Sequence, residues 1–137
     1  MNKGIYCLII RLHQSYMIKV GSLGIYNFAA GFYVYIGSAQ DNLERRIERH
    51  LRKEKKFHWH IDYLLAYGKV ICVHTYALEK NWECRLSRRI STIKNATTPV
   101  KGFGSSDCNC LSHLYFFQNN PEVKMSTLYS EQNSSYL

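Results

Sequence analysis

The chain has 137 residues, 46% of them hydrophobic and 20% charged, with five cysteines and a formal net charge of +8. The length suits one core rather than two, the composition is that of a globular domain, and no apolar run reaches the roughly 18 residues that a membrane-spanning helix requires. The positive excess favours polyanionic partners, nucleic acid ahead of an anionic membrane surface.

Met1-Asn2-Lys3-Gly4 runs straight into a strand pattern and lacks the apolar region of a signal peptide. An odd number of cysteines, with Cys7, Cys72 and Cys84 inside apolar stretches, suits free thiols in a reducing compartment. The expectation is a cytoplasmic, nucleoid-associated protein that makes no membrane contact.

Gly4–Leu12 reads as a strand with Tyr6, Leu8 and Ile10 on one face and Ile5, Cys7 and Ile9 on the other. Two apolar faces predict a central strand covered on both sides. A short strand over 17–20 precedes the turn-rich Gly21-Ser22-Leu23-Gly24. The next strand, 32–36, turns Phe32, Val34 and Ile36 one way and Tyr33 and Tyr35 the other. Residues 37–42 read as a loop that ends in N-cap candidates.

A basic helix is predicted over 43–52, a short apolar helix over 61–67, a strand over 70–77, a helix over 81–94 and an edge strand over 114–117. The composition turns Ser/Asn-rich from Gln118 onward. The expected division is therefore a domain over 1–117 and a polar, flexible tail over 118–137.

With Leu43 of the basic helix at zero and 100° per residue, Ile47 and Leu51 fall at roughly 40° and 80° and define a core stripe. Arg46 and His50, at roughly 300° and 340°, stand on its shoulder and can lean toward the tyrosine-bearing strands; Arg49, at roughly 240°, is less favourably placed. Arg46 and His50 read as an anion-recognising pair, because a guanidinium fork suits phosphate and developing charge. Lys53, Lys55 and Lys56, with Arg45 and Arg52, read as a solvated face that can also grip a nucleic-acid backbone without specificity.

Glu83 lies beside the Trp82, Leu86, Ile90, Ile93 stripe of its helix. Two readings stand level. An inward carboxylate needs partners or a metal, and a hard oxygen ligand suits Mg²⁺. An acid in a first helical turn, behind Asn81 as N-cap, also gains from the helix dipole. Cys108-x-Cys110-x-x-His113 departs from the usual spacing of zinc sites, so unligated thiols in a packed loop are the main expectation and zinc the lesser one. For His60 and Asp62 an N-cap role or a phosphate contact fits as well as a metal.

Gly4-Ile5-Tyr6, Tyr35-Ile36-Gly37, an Arg one turn into the following helix and a later helical Glu resemble the GIY-YIG nuclease superfamily. Val20-Gly21-x-Leu23-Gly24, Tyr35-Ile36-Gly37-Ser38-Ala39, Arg49-His50-Leu51, the run from His58 to Leu65, and Gly102-Phe103-Gly104-Ser105-Ser106-Asp107-Cys108 narrow the resemblance to its DUF123 branch, over about residues 3–117. The resemblance implies an α+β fold, a small antiparallel or mixed sheet flanked by helices. It also implies a Mg²⁺- or Mn²⁺-dependent endonuclease or nickase that hydrolyses phosphodiester bonds, with DNA the first partner and repair or recombination the setting.

By the same resemblance Tyr6 stands close to the attacking water, Tyr35 positions water or phosphate, Arg46 stabilises phosphate charge, His50 occupies a His/Tyr position and Glu83 holds the metal. Arg49, Lys53, Lys55, Lys56, His58 and His60 are the expected nucleic-acid contacts. The alternative is a binding module of this fold without turnover. A second Gly-Ile-Tyr stands at 24–26. Because it follows a turn-rich insert and has no evident strand around it, Tyr6 is the expected partner of Tyr35 and Tyr26 an echo.

Overall fold

The computed structural model describes residues 2–126. Among these the chain forms β1 (Gly4–Leu12), β2 (Tyr16–Val20), a 3-10 turn (Gly21–Leu23), β3 (Gly24–Phe28), β4 (Gly31–Ala39), α1 (Leu43–Leu51), α2 (His60–Leu65), β5 (Lys69–Tyr76), α3 (Trp82–Ser91) and β6 (Leu114–Phe117). The four-stranded sheet has the order β5-β1-β4-β6, with β2 and β3 as a separate two-stranded sheet. Every pairing is antiparallel. The fold is thus α+β, a small antiparallel sheet flanked by helices.

β1 is central because both its faces are apolar. Tyr6, Leu8, Ile10 and Leu12 join Tyr33 and Tyr35 of β4 in one cluster, closed by the β2–β3 hairpin, α1, α2 and Phe103. Ile5, Cys7 and Ile9 join Val34 and Ile36 in a second, closed by Leu86 and Ile90 of α3. The alternation read from the sequence is the alternation observed.

Three differences from the sequence reading bear on function. First, β4 does not end at Ile36. It continues through Ala39, with Gly4 opposite Ala39 and Tyr6 opposite Gly37, because the long β1 supplies a partner for the Gly-Ser pair. Second, Tyr26 does lie in a strand, β3, which pairs with β2 away from the main sheet. Its signal was weak because Ile25 points to solvent, 62% exposed, and the strand is only five residues long. Third, Leu51 is 52% exposed while His50 is buried at 3%. Leu51 is the last residue of α1, and the core side of this helix is centred on Leu43, Ile47 and His50.

Asn42 caps α1 by accepting the Arg45 amide at 3.0 Å. Asn81 stands at the N-cap of α3, but its side chain makes no capping bond. Most of residues 118–137 lie outside the described residues; within 118–126, Met125 is buried in the second cluster, so packing continues past Phe117. No helix among the described residues is long and apolar enough to cross a membrane.

Candidate functional site

A cleft of about 650 Å³ opens where β1 begins and β4 ends. Tyr6, Tyr35, Gly37 and Ser38 form its floor, Arg46 and His58–Trp59–His60 one wall, Glu83 and Cys84 another, and the segment from Gly104 to Cys108 with His113 the rest. Side chains from β1, β4, α1 and α3 thus converge on one concavity.

Tyr6 lies across Gly37, its register partner on β4. A Cβ at position 37 would stand 2.5 Å from both Cζ and Oη of Tyr6, so only glycine lets the ring lie flat over the strand. The Tyr6 hydroxyl and His50 Nε2 share a 2.7 Å hydrogen bond. Tyr35 packs beside Tyr6 with ring centroids 6.4 Å apart. Burial pushes the phenol pKa of Tyr6 well above its usual value, opposed by the Arg46 guanidinium, and Tyr35 moves the same way by burial.

His50 does not line the cleft. It stands behind Tyr6, where burial lowers its pKa to about 3 against the pull of Asp62, so the ring is neutral near pH 7. Its Nδ1 is buried without a hydrogen-bond partner. Of the pair expected on α1, only Arg46 faces the cleft, and His50 supports Tyr6 from behind. The helix ridge that carries Arg46 into the cleft carries His50, one turn later, under the tyrosine.

Arg46 is held from two sides. Its Nη1 donates to the Ser38 carbonyl at 3.1 Å and its guanidinium lies 4.4 Å from the Trp59 ring. Arg49 is also 4.4 Å from Trp59, but its fork is engaged elsewhere. Nη1 and Nη2 donate to the two Asp62 oxygens at 3.0 Å each, and Nη2 also donates to the Lys56 carbonyl. Asp62, fully buried, further accepts the backbone amides of His58 and Trp59. Against the desolvation cost, these donors keep its carboxyl below the usual range. Arg49 is thus a clamp that fixes the His58–His60 wall, rather than an outward phosphate contact.

The expected nucleic-acid lysines stand outside the cleft lining. Lys55 donates to the carbonyls of Arg49 and His50, closing the C-terminus of α1. Lys53 and Lys56 lie on the exposed segment beside it. His58 and His60 do line the cleft, and His60 Nδ1 accepts the Gly104 amide at 2.9 Å, which leaves the ring proton on Nε2.

Glu83 reaches the cleft from the first turn of α3. Its Oε1 accepts from the Ser38 hydroxyl at 3.0 Å, and its Oε2 lies 3.5 Å from His113 Nδ1. A carboxylate on the wall of a polar cleft, with room beside it for water and phosphate oxygens, fits the one- or two-carboxylate coordination of Mg²⁺ or Mn²⁺.

The cleft also draws on Ser38, Trp59 and Cys84, for which the sequence indicates no role in a site. Ser38 lies in the predicted loop but belongs to β4, where its alternation toward α3 meets Glu83. Trp59 carries no periodic signal, and Cys84 is separated from Cys108 by most of α3 and a long loop.

No curated protein and no solved structure matches the chain. A family description, "Domain of unknown function DUF123", matches residues 5–134, which takes in all of the cleft lining and every strand and helix around it but for Gly4 at the start of β1. The match covers nearly the whole sequence, and the chain belongs to the DUF123 family.

Proposed function

We propose that the protein is a metal-dependent endonuclease or nickase of the GIY-YIG type that hydrolyses phosphodiester bonds in DNA. The observation that carries this reading is the convergence of Tyr6, Tyr35, Arg46 and Glu83 on one cleft from four separate elements. A packed core alone does not need two tyrosines, a guanidinium and a carboxylate to meet at one opening.

In this reading Arg46, preset by Ser38 and Trp59, binds the scissile phosphate and meets the charge that grows on it. Tyr35 orients the phosphate or the attacking water. Tyr6 takes the water proton, a role for which a phenol is a poor base because its ordinary pKa is about 10. Burial disfavours the phenolate further, and Arg46 opposes that in part. In this reading His50 carries its proton on Nε2 and donates it to the Tyr6 oxygen, the arrangement that suits a transient phenolate. That tautomer leaves Nδ1 a bare acceptor, which is less costly to bury than an orphaned N–H. Glu83 would hold a Mg²⁺ or Mn²⁺, which would supply Lewis-acid charge when bound.

The +8 charge supports DNA as substrate through backbone contacts that read shape rather than base sequence. Repair or recombination intermediates are the substrates that such recognition suits. The test is a nicking assay on supercoiled and branched DNA with and without Mg²⁺, using wild type, Arg46→Ala and Glu83→Ala. Metal-dependent product from wild type alone supports the reading. Equal cleavage by all three sinks it, and salt-sensitive binding without product assigns the chain to a binding role.

A further inference from the structure

We propose that Cys84, Cys108, Cys110 and His113 form a structural zinc site, separate from the divalent ion of the cleft, that ties the loop before β6 to α3 and uses Glu83 to orient its histidine. The ligand atoms of these four residues all lie within 4.8 Å of one another. His113 Nε2 stands 3.5 Å from Cys108 Sγ and 3.9 Å from Cys84 Sγ. A tetrahedral ion with Zn–S near 2.3 Å and Zn–N near 2.0–2.1 Å requires ligand–ligand edges of about 3.5–3.8 Å. The four side chains are already close to that shell, so binding requires small side-chain adjustments and no rearrangement of the strands.

A second observation comes from the far side of the imidazole. His113 is 2% exposed, and its Nδ1 is buried without a hydrogen-bond partner while Glu83 Oε2 lies 3.5 Å away. Zinc on Nε2 places the ring proton on Nδ1, where it turns to the carboxylate, the arrangement that metal-bound histidines generally adopt. The metal thus removes an otherwise unexplained buried polar group. On binding, the three thiols ligate as thiolates and their protons pass to solvent. Three cysteines also suit a Cys₃His site better than disulfides, which would leave one thiol over.

The sequence obscured this because Cys108-x-Cys110 has one residue too few between its cysteines for a common zinc knuckle. The missing ligand is Cys84, brought from the helix that packs on the opposite sheet face. Residues 104–108 form a wall of the cleft without helix or strand. Zinc would hold that wall in place.

The test is metal analysis of the full chain purified without chelator from zinc-supplemented medium, followed by cobalt exchange and chelator competition. The expected result is about one zinc per chain and, with Co²⁺, the visible spectrum of a tetrahedral thiolate site. Cys84→Ser and Cys110→Ser should lose the metal, while Cys7→Ala and Cys72→Ser should keep it. Glu83→Gln should retain the tetrahedral cobalt spectrum with zinc affinity about 10–100-fold weaker.

Zinc-free protein whose melting temperature ignores added ZnCl₂ overturns the site. So does a disulfide among Cys84, Cys108 and Cys110 in protein kept anaerobic, or loss of zinc from Cys72→Ser, which would move the metal to the Cys72, His74 and Glu122 group at the opposite, β5 edge of the sheet. None of these readouts measures cleavage. Zinc bound by a chain that cuts no DNA still supports this site and counts only against the nuclease reading.

Discussion

The Tyr6 hydroxyl lies 2.7 Å from His50 Nε2, linking the central strand to α1 beneath the floor of the cleft. This bond gives His50 a place in the site without exposing it to the cleft, and makes Tyr6 differ from Tyr26, whose hydroxyl donates to the Leu23 carbonyl in the hairpin. Tyr6→Phe leaves His50 Nε2 unpaired in a buried position, a loss of about 1–3 kcal/mol in folding stability, and lowers cleavage by about 10²-fold or more. Tyr26→Phe costs about 1 kcal/mol and leaves cleavage at the wild-type rate. Denaturant unfolding and nicking rates on both variants check this, and the reverse pattern would transfer the proposed catalytic role to Tyr26.

Acid stability should carry the signature of His50. Its folded pKa, about 3, lies below the unfolded value near 6.5, so between these the unfolded chain binds the extra proton. Stability is therefore full above about pH 6.5 and falls as the pH drops toward 3, at up to about 1.4 kcal/mol per pH unit. His50→Gln, which can still bond Tyr6, should flatten the decline between pH 6 and 4. Asp62, whose carboxyl is held low, contributes a separate loss below about pH 4 that persists in this variant. Melting curves across pH distinguish the two windows.

Gly37→Ala should damage site and fold together. The added methyl meets the Tyr6 ring at 2.5 Å, within a floor sealed from below by His50. A cost of about 1–3 kcal/mol and a loss of cleavage at least as large as that of Tyr6→Phe are expected. Gly68→Ala, whose methyl meets Ile10 at 2.7 Å outside the cleft, should cost stability with cleavage retained below its melting temperature.

Arg46 and Arg49 should separate by phenotype although both touch Trp59. Asp62→Ala strands the Arg49 fork and leaves the part-buried His58 and Trp59 amides without their acceptor, costing about 3–5 kcal/mol. Arg49→Lys should lose the bidentate clamp and with it part of that stability. Arg46→Lys should leave the melting temperature nearly unchanged and reduce cleavage. Calorimetry beside single-turnover cleavage reads both axes.

Much of this architecture was legible in the residues themselves. The two apolar faces of Gly4–Leu12 determined a central strand, and alternation put Tyr33 and Tyr35 together on one face of β4, while the register with β1 chose Tyr35 as the neighbour of Tyr6. The wheel of α1 brought Arg46 to the right side. Periodicity carries such information because strand and helix geometry are local.

What the tertiary structure alone decided depends on contacts between distant segments. That Gly37 continues β4 follows from the length of β1 opposite it. That Leu51 points outward and His50 inward follows from where α1 ends on the sheet. That Arg49 clamps Asp62, and that Cys84 joins Cys108, Cys110 and His113, follows from helices and loops meeting across elements, and no sequence spacing encodes those meetings. Side chains with several possible partners are assigned only when folding chooses which of them lie within reach.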